Sequence, residues 1–297
     1  MSESLSSPLS RFRYFSQRQP YLSSLENPEC QPIRRVSEVP VAAALEQGQS
    51  PSFYCHAHCG AGQLVHSPNA VTRMGYYWRE SGACDVCGAI TRIRLAAEWF
   101  HRAAVNTMQP RIYLTEQLTP LYKILRKTFP DIVGSEFTPD QSERSKASWQ
   151  LKGYLLDPMA RVRHEDVGQL TFSDESFDLI GSFDVLEHVP NYKRALKEFR
   201  RVLRDGGQLI LTAPFLNASP TTLVRARIEN GNLVHLEPPE YHGNPTIPGD
   251  GVLCFYHFGW DLLDALRSAG FRSVALLDAW GNQTVLFGDQ NAIVATR

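Results

Sequence analysis

The spacing of apolar positions divides the chain. From about Trp99 onward, apolar runs of strand length alternate with runs at helical spacing, the pattern of a doubly wound α/β sheet. Strands are predicted from Arg111 to Glu116, Asp131 to Phe137, Arg161 to Val167, Phe177 to Val185 and Gln208 to Ala213. Leu118, Leu121, Tyr122, Leu125 and Phe129 recur with helical period, and Thr119-Pro120 supplies an N-cap followed by proline at the first helical position. After Pro190, Ala195, Leu196, Phe199, Val202 and Leu203 face one way. Lys193, Arg194, Lys197, Arg200, Arg201 and Arg204 face the other, as in a solvated outer face or a docking strip for an anionic partner. Trp260 to Gly270 reads as a helix ending on glycine. Phe271 to Asp278 and Asn291 to Thr296 close the sheet.

Before Trp99 that alternation is missing. Residues 1–50 are rich in Ser, Pro, Gln and Arg, with five arginines against five glutamates, and read as a flexible tail or loosely docked arm. Residues 51–98 carry paired cysteines and read as a zinc-ribbon-like module, leaving 99–297 for the sheet domain. Within 51–98, Cys55-x-x-x-Cys59 and Cys84-Asp-Val-Cys87 are separated by about a β-hairpin. Two close pairs so spaced match a tetrahedral structural zinc site, with Cys55, Cys59, Cys84 and Cys87 as ligands. His56 and His58 lie inside the first pair, and either can replace a thiolate there. Cys30 and Cys254 stand apart from this set.

Composition narrows the field. The chain has 297 residues, 43% of them hydrophobic, enough for one sizeable core and a smaller module. A formal net charge of −1 supplies no global field to recruit nucleic acid or a membrane surface, and no aromatic-basic stripe reads as a nucleic-acid face. The first 24 residues hold eight serines and no sustained apolar run, so no signal peptide is expected. Six cysteines are too few and too clustered for a secreted disulfide scaffold, and a reducing, cytoplasmic setting is expected.

The most informative stretch is Ser176-Phe-Asp-Leu-Ile-Gly-Ser-Phe-Asp-Val-Leu-Glu-His-Val-Pro190. It is followed by a helix, Asp205-Gly206-Gly207, and the apolar run from Gln208 to Phe215. That order resembles the fourth and fifth strands of class I S-adenosylmethionine (SAM) methyltransferases. The resemblance implies a Rossmann-like methyltransferase sheet and a SAM cofactor, held beyond the carboxyl ends of the strands. Glu116 closes the first predicted strand, and Glu136, twenty residues later, has the spacing of a ribose-binding carboxylate. Thr115, Glu116 and Gln117 then form the first loop, Glu136 and Phe137 meet the ribose, and Asp166 and Val167 lie near the adenine. Ser182, Phe183 and Asp184 line the far side. The family's glycine-rich first turn is replaced by Leu114-Thr-Glu-Gln-Leu118, which contains no glycine. Divergent members with a glutamate-containing loop are the better likeness.

Asp184, Glu187 and His188 resemble a Glu-x-x-Glu-His stretch that holds a divalent cation in the ubiquinone O-methyltransferase group. The same loop also serves many methyltransferases simply as a pocket wall and helix cap. A long insertion from Pro214 to Tyr256 includes Pro238-Pro-Glu-Tyr-His-Gly-Asn-Pro245, whose rigid backbone suits acceptor binding. Proton removal from a hydroxyl acceptor needs a base such as histidine. The candidates are His242, His235 and His188, in that order. The expected activity is methyl transfer to a small-molecule or glycan-type hydroxyl or amine. The alternative is a non-catalytic zinc-ribbon and Rossmann binding module.

Overall fold

The computed structural model describes residues 10–26, 31–66, 71–72, 75–105, 107–244 and 247–297. Cys30 and residues 1–9 of the N-terminal segment lie outside them, as does Pro245 of the insertion motif. The chain forms two compact units. One comprises residues up to 15, 19–106 and 277–291; the other comprises 16–18, 107–276 and 292–297.

In the first unit, strand β1 (Arg11–Phe15) is followed by helices α1 (Arg18–Glu26) and α2 (Gln31–Glu46). Composition offered no period here, yet Tyr21 and Leu45 are fully buried, and Tyr21 meets Phe15 edge-on at 5.3 Å. Tertiary burial supplies what local pattern lacks. The cysteine segment folds as β2 (Ser52–Cys55), β3 (Gly60–Val65), a short pair β4 (Val71–Thr72) and β5 (Gly75–Tyr76), and β6 (Ala83–Cys84). Strands β2, β3 and β6 form one small antiparallel sheet. Helix α3 (Thr91–Ala104) follows, burying Ile93, Leu95, Trp99 and Phe100. The linear boundary expected near residue 98 therefore falls inside a helix.

The second unit begins with β7 (Ile112–Leu114), α4 (Pro120–Thr128) and β8 (Val133–Gly134). Thr119 caps α4 by accepting from the Tyr122 N–H, with Pro120 in the first turn, as its sequence predicts. Helix α5 (Gln141–Leu155) comes next, and it had no sequence signal. Only Ala147 and Leu151 on it are buried, so no apolar stripe announces it. Its start is fixed by Asp140, whose Oδ1 accepts from the Ser142 and Glu143 N–H groups. The predicted strand from Arg161 to Val167 survives as an isolated parallel bridge, Glu136 to His164, not as a continuous strand.

Then come β9 (Phe177–Phe183), α6 (Tyr192–Val202) and β10 (Leu203–Thr212). The expected apolar face of α6 is buried at Ala195, Leu196, Phe199 and Val202, while Lys193, Arg194 and Lys197 are exposed. The insertion folds as β11 (Leu223–Val224), β12 (Ala226–Glu229), β13 (Asn232–His235), β14 (Tyr241–Asn244), β15 (Ile247–Leu253) and β16 (Tyr256–His257). Helix α7 (Asp261–Ser268) precedes β17 (Ser273–Gly281) and β18 (Leu286–Thr296), both of which run on into the first unit.

The main sheet has the order β17-β18-β10-β9-β7-β8, with β1 beside β17. Strands β8, β7, β9 and β10 are mutually parallel, and β18 is antiparallel to β10. From β7 the chain moves to β8 on one side and later to β9 on the other. That reversal opens a crevice at the carboxyl ends of β7 and β9, where ligands of such sheets sit.

Candidate cofactor and metal sites

The loop after β7 lies at this crevice. Without glycine, it is held by side chains. Glu136, buried beyond the end of β8, accepts the backbone N–H groups of Gln117 and Leu118 on one oxygen, each at 2.8 Å. The Gln117 side chain is itself buried, accepting from the Arg163 N–H at 2.7 Å and donating to the Arg161 carbonyl. Space for it is made on the neighbouring strand: a Cβ at Gly134 would lie 2.5 Å from Gln117 Cγ and 2.7 Å from the Glu116 carbonyl oxygen. The glycine is absent from the loop and present on the strand beneath it. Burial pushes the Glu136 carboxyl above the usual carboxylate range, against the pull of the two N–H groups.

The remaining cofactor candidates flank that loop. The Thr115 N–H donates to the Gly181 carbonyl at 3.1 Å, and its hydroxyl donates to Ser182 Oγ at 3.3 Å, both side chains being buried. Glu116 is half-buried, and Phe137 is exposed with its ring 5.5 Å from that of His164. Asp166 is exposed and accepts from the Gly168 N–H, while Val167 is buried. Phe183 is buried at the end of β9. Asp184 follows with φ of 53° and accepts the Thr212 hydroxyl at 3.0 Å, a left-handed conformation that Asp tolerates better than most residues.

The turn Leu186–His188 and hairpin β14–β15 come together beyond β9. The Phe255 N–H donates to the Glu187 carbonyl at 2.7 Å, and His188 Nδ1 lies 2.8 Å from the Leu253 carbonyl. His242 pairs with Val252 across the hairpin. There Gly251 has φ of +94°, and a Cβ would strike the His242 carbonyl. His242 Nε2 is 2.9 Å from Glu240 Oε1, which also meets His257 Nε2 at 3.1 Å. Glu187, followed by Glu240, raises the His242 imidazole to about 9. With no other ligand it is an imidazolium at neutral pH, a poorer base than its sequence position suggests. His235 is exposed on β13, paired with Ala226, and takes no part in this cluster. Glu240 and Cys254 join His242 in a further close group. Glu240 belongs to the Pro238 to Pro245 run singled out in sequence, and Glu240-x-His242 carries the spacing of a strand face; Cys254 stood apart from every expected site.

In the first unit, Cys55, His58, Cys84 and Cys87 converge. Cys59, expected as the fourth ligand, is exposed with φ of 55° and lies 4.0 Å from His101 Nδ1. His58 takes its place, with Nε2 3.3 Å from Cys84 Sγ. The β2–β3 turn decides this by carrying His58 back over the knuckle. Cys55 Sγ and Cys87 Sγ are 3.7 Å apart, close to the edge of about 3.8 Å that zinc–sulfur bonds of ~2.3 Å make in a tetrahedron. The hydrogen bond from Cys55 brings the Cys87 thiol down to about 6 and pushes that of Cys55 up. Arg94 is buried nearby, donating to the carbonyls of Gly82, Ala89 and Val285 and lying over the Phe53 ring at 4.7 Å. Burial lowers it to about 10, against the opposing pull of Cys55, Cys84 and Cys87.

Residues 119–211 match a family profile described as "Methyltransferase domain". The match starts at Thr119, just past the glycine-free loop. A phosphatidylethanolamine N-methyltransferase of Cereibacter sphaeroides is 29% identical over 103 residues, 33% of this chain and 50% of that protein. A demethylmenaquinone methyltransferase of Bacillus velezensis is 31% identical over 80 residues, 27% of this chain and 33% of that protein. The chain thus spans half or less of the length of these curated relatives. Among solved structures, SAM-bound CalS10, an amino pentose methyltransferase from Micromonospora echinaspora, is 16% identical with a TM-score of 0.46, covering 69% of this chain and 91% of that one. With its parallel strands, its switch point between β7 and β9 and the matched segment, the chain carries a methyltransferase domain of the class I SAM-dependent family.

Proposed function

We propose that the chain transfers a methyl group from SAM to a hydroxyl or amine of a small-molecule or glycan-type acceptor. The observation that carries this reading is Glu136, a buried carboxylate at the switch point, gripping the loop that would face the methionine. Its second oxygen would accept the ribose hydroxyls. Phe137, Asp166 and Val167 would surround the adenine, and Thr115, Glu116 and Gln117 the methionine end, where the first turn of α4 favours a carboxylate. Ser182, Phe183 and Asp184 would form the opposite wall. Transfer from a sulfonium is an in-line displacement, so these residues mainly align donor and acceptor and exclude water. His242 and His188 are the candidates for handling the acceptor proton, ahead of His235.

In this reading the cysteine–histidine cluster holds a structural zinc through Cys55, His58, Cys84 and Cys87. The donor set and its spacing support it, and bound zinc would fasten β2, β3 and the Cys84–Cys87 knuckle. Three thiolates and a neutral histidine around Zn²⁺ leave one negative charge, which the buried Arg94 would balance. Free thiols of this kind favour a reducing, cytoplasmic compartment. Among the described residues, no helix is long and apolar enough to cross a membrane. The two named relatives act on unlike acceptors, a phospholipid amine and a quinone, and suggest no common one. Calorimetric titration with S-adenosylhomocysteine tests the proposal: measurable binding is expected, and absence of heat overturns it.

A further inference from the structure

Glu187 is buried completely, and among the described residues neither carboxylate oxygen accepts a hydrogen bond. Two imidazole nitrogens stand near it, His242 Nδ1 at 3.6 Å and His188 Nε2 at 3.8 Å from the same oxygen. Both distances exceed hydrogen-bonding range. A buried carboxylate left this way needs a compensating charge, a bound ion among the standard explanations.

The histidines indicate which charge. His188 Nδ1 faces the Leu253 carbonyl at 2.8 Å, so that nitrogen carries the proton and donates, leaving a lone pair on Nε2. His242 Nε2 faces Glu240 Oε1 at 2.9 Å, so in the neutral ring it donates there and leaves a lone pair on Nδ1. Both lone-pair nitrogens then lie within 4 Å of the same Glu187 oxygen. Three electron-rich atoms converge, while each ring is oriented through its other nitrogen by an oxygen, as metal-bound imidazoles are. Glu240 is in turn held by Arg225 at 3.2 Å and His257 at 3.1 Å.

We propose that Glu187, His188 and His242 hold a divalent transition metal through one carboxylate oxygen, Nε2 and Nδ1, with Glu240 supporting His242. The ligands lie within 4.8 Å of one another. Bonds of about 2.0–2.1 Å in a tetrahedron would draw them to roughly 3.3 Å, a closer approach than the 3.6 and 3.8 Å now separating each imidazole from the Glu187 oxygen. Asp184, the first residue of the Asp-x-x-Glu-His stretch, is not in the group; the third ligand comes from the insertion hairpin. Two imidazoles and a carboxylate suit zinc, iron(II) or cobalt better than magnesium or calcium. Three protein ligands leave a position for water or an acceptor oxygen, whose proton the metal would loosen. The assignment stands on these side chains alone and does not depend on SAM binding.

The test uses full-length protein purified without a histidine tag, its zinc content measured, then titrated with Co(II) by calorimetry and visible absorption. Wild type is expected to take up one metal beyond the cysteine-held zinc, ending near two per chain, with a higher thermal midpoint. Glu187→Gln and His242→Ala should bind this cobalt at least tenfold more weakly and show no cobalt-dependent rise in midpoint. Glu229→Gln, elsewhere on the insertion, should match wild type. Because Glu187→Gln keeps the shape of the side chain while removing a buried charge, it should fold and keep its first zinc; His242→Ala, on a half-exposed residue, provides the second variant. Wild type that takes up no metal beyond the cysteine site overturns the proposal, as does undiminished cobalt binding in both variants. Titrating the same samples with S-adenosylhomocysteine reads the methyltransferase assignment separately.

Discussion

Glu136 Oε1 accepts the backbone N–H of Gln117 at 2.8 Å, and the Leu118 N–H at the same distance. One carboxylate thereby fixes the loop that glycines would otherwise shape. Glu136→Gln should weaken S-adenosylhomocysteine binding by about 10- to 100-fold, from the loss of roughly 1.5–3 kcal/mol of charge-assisted hydrogen bonding. Calorimetry on folded mutant and wild type checks this, and equal affinities would remove Glu136 from the cofactor site.

Gly134 and Gln117 should behave as a pair. Gly134→Ala places a methyl 2.5 Å from Gln117 Cγ and is expected to cost about 1–3 kcal/mol of stability, as overpacking does. Adding Gln117→Ala should recover part of that loss, because one of the clashing groups is gone. A double-mutant cycle by denaturant unfolding measures it; strict additivity would mean that the clashes with the Tyr122 ring at 2.6 Å and the Glu116 carbonyl dominate.

The two exposed or half-exposed cysteines near the small sheet are expected to differ. Cys87→Ser should lose most of the structural zinc, whereas Cys59→Ser should retain about one zinc per chain, since the site is completed by His58. Metal analysis of the purified variants separates the two. Zinc loss in Cys59→Ser with retention in His58→Ala would restore the four-cysteine set.

For the insertion, His242→Asn should cut turnover by about 10²–10⁴ once an acceptor is known, while S-adenosylhomocysteine affinity holds. His235→Ala should leave both within about twofold, because its side chain is exposed on β13 away from the Glu187 cluster. The opposite ranking would move the acceptor to the β12–β13 hairpin.

Much of the fold was legible where local pattern and burial agree. Thr119-Pro120 starts α4, and the apolar positions Ala195, Leu196 and Phe199 face inward on α6. Helix α5 was not legible because its polar surface hides two buried residues, and its cap at Asp140 precedes no apolar run. The strand expected at Arg161 to Val167 is reduced to a bridge, its residues being tied by two hydrogen bonds to the Gln117 side chain and two to the Glu136 backbone. At the sites, spacing named three cysteines of the convergent group and offered His56 and His58 as substitutes, without choosing between them and Cys59. A turn with Cys59 at positive φ decides which side chain faces inward, and composition does not encode it. Glu187 and His188 stand together in sequence, but His242 and Glu240 join them only when the hairpin folds back upon the turn after β9.

Arg94 finds one of its acceptors, the Val285 carbonyl, in the stretch 277–291 that completes the smaller unit. Translation at ~5–20 residues per second delivers that stretch on the order of ten seconds or more after Cys87 has been made. During this interval the guanidinium is short of a partner, and the small sheet lacks part of its packing. A metal ion captured early by Cys55, His58, Cys84 and Cys87 would act as a clasp, keeping the thiols out of trouble until the late strands arrive. Metal supply during synthesis would then govern the yield of folded protein, more than the stability of the finished molecule.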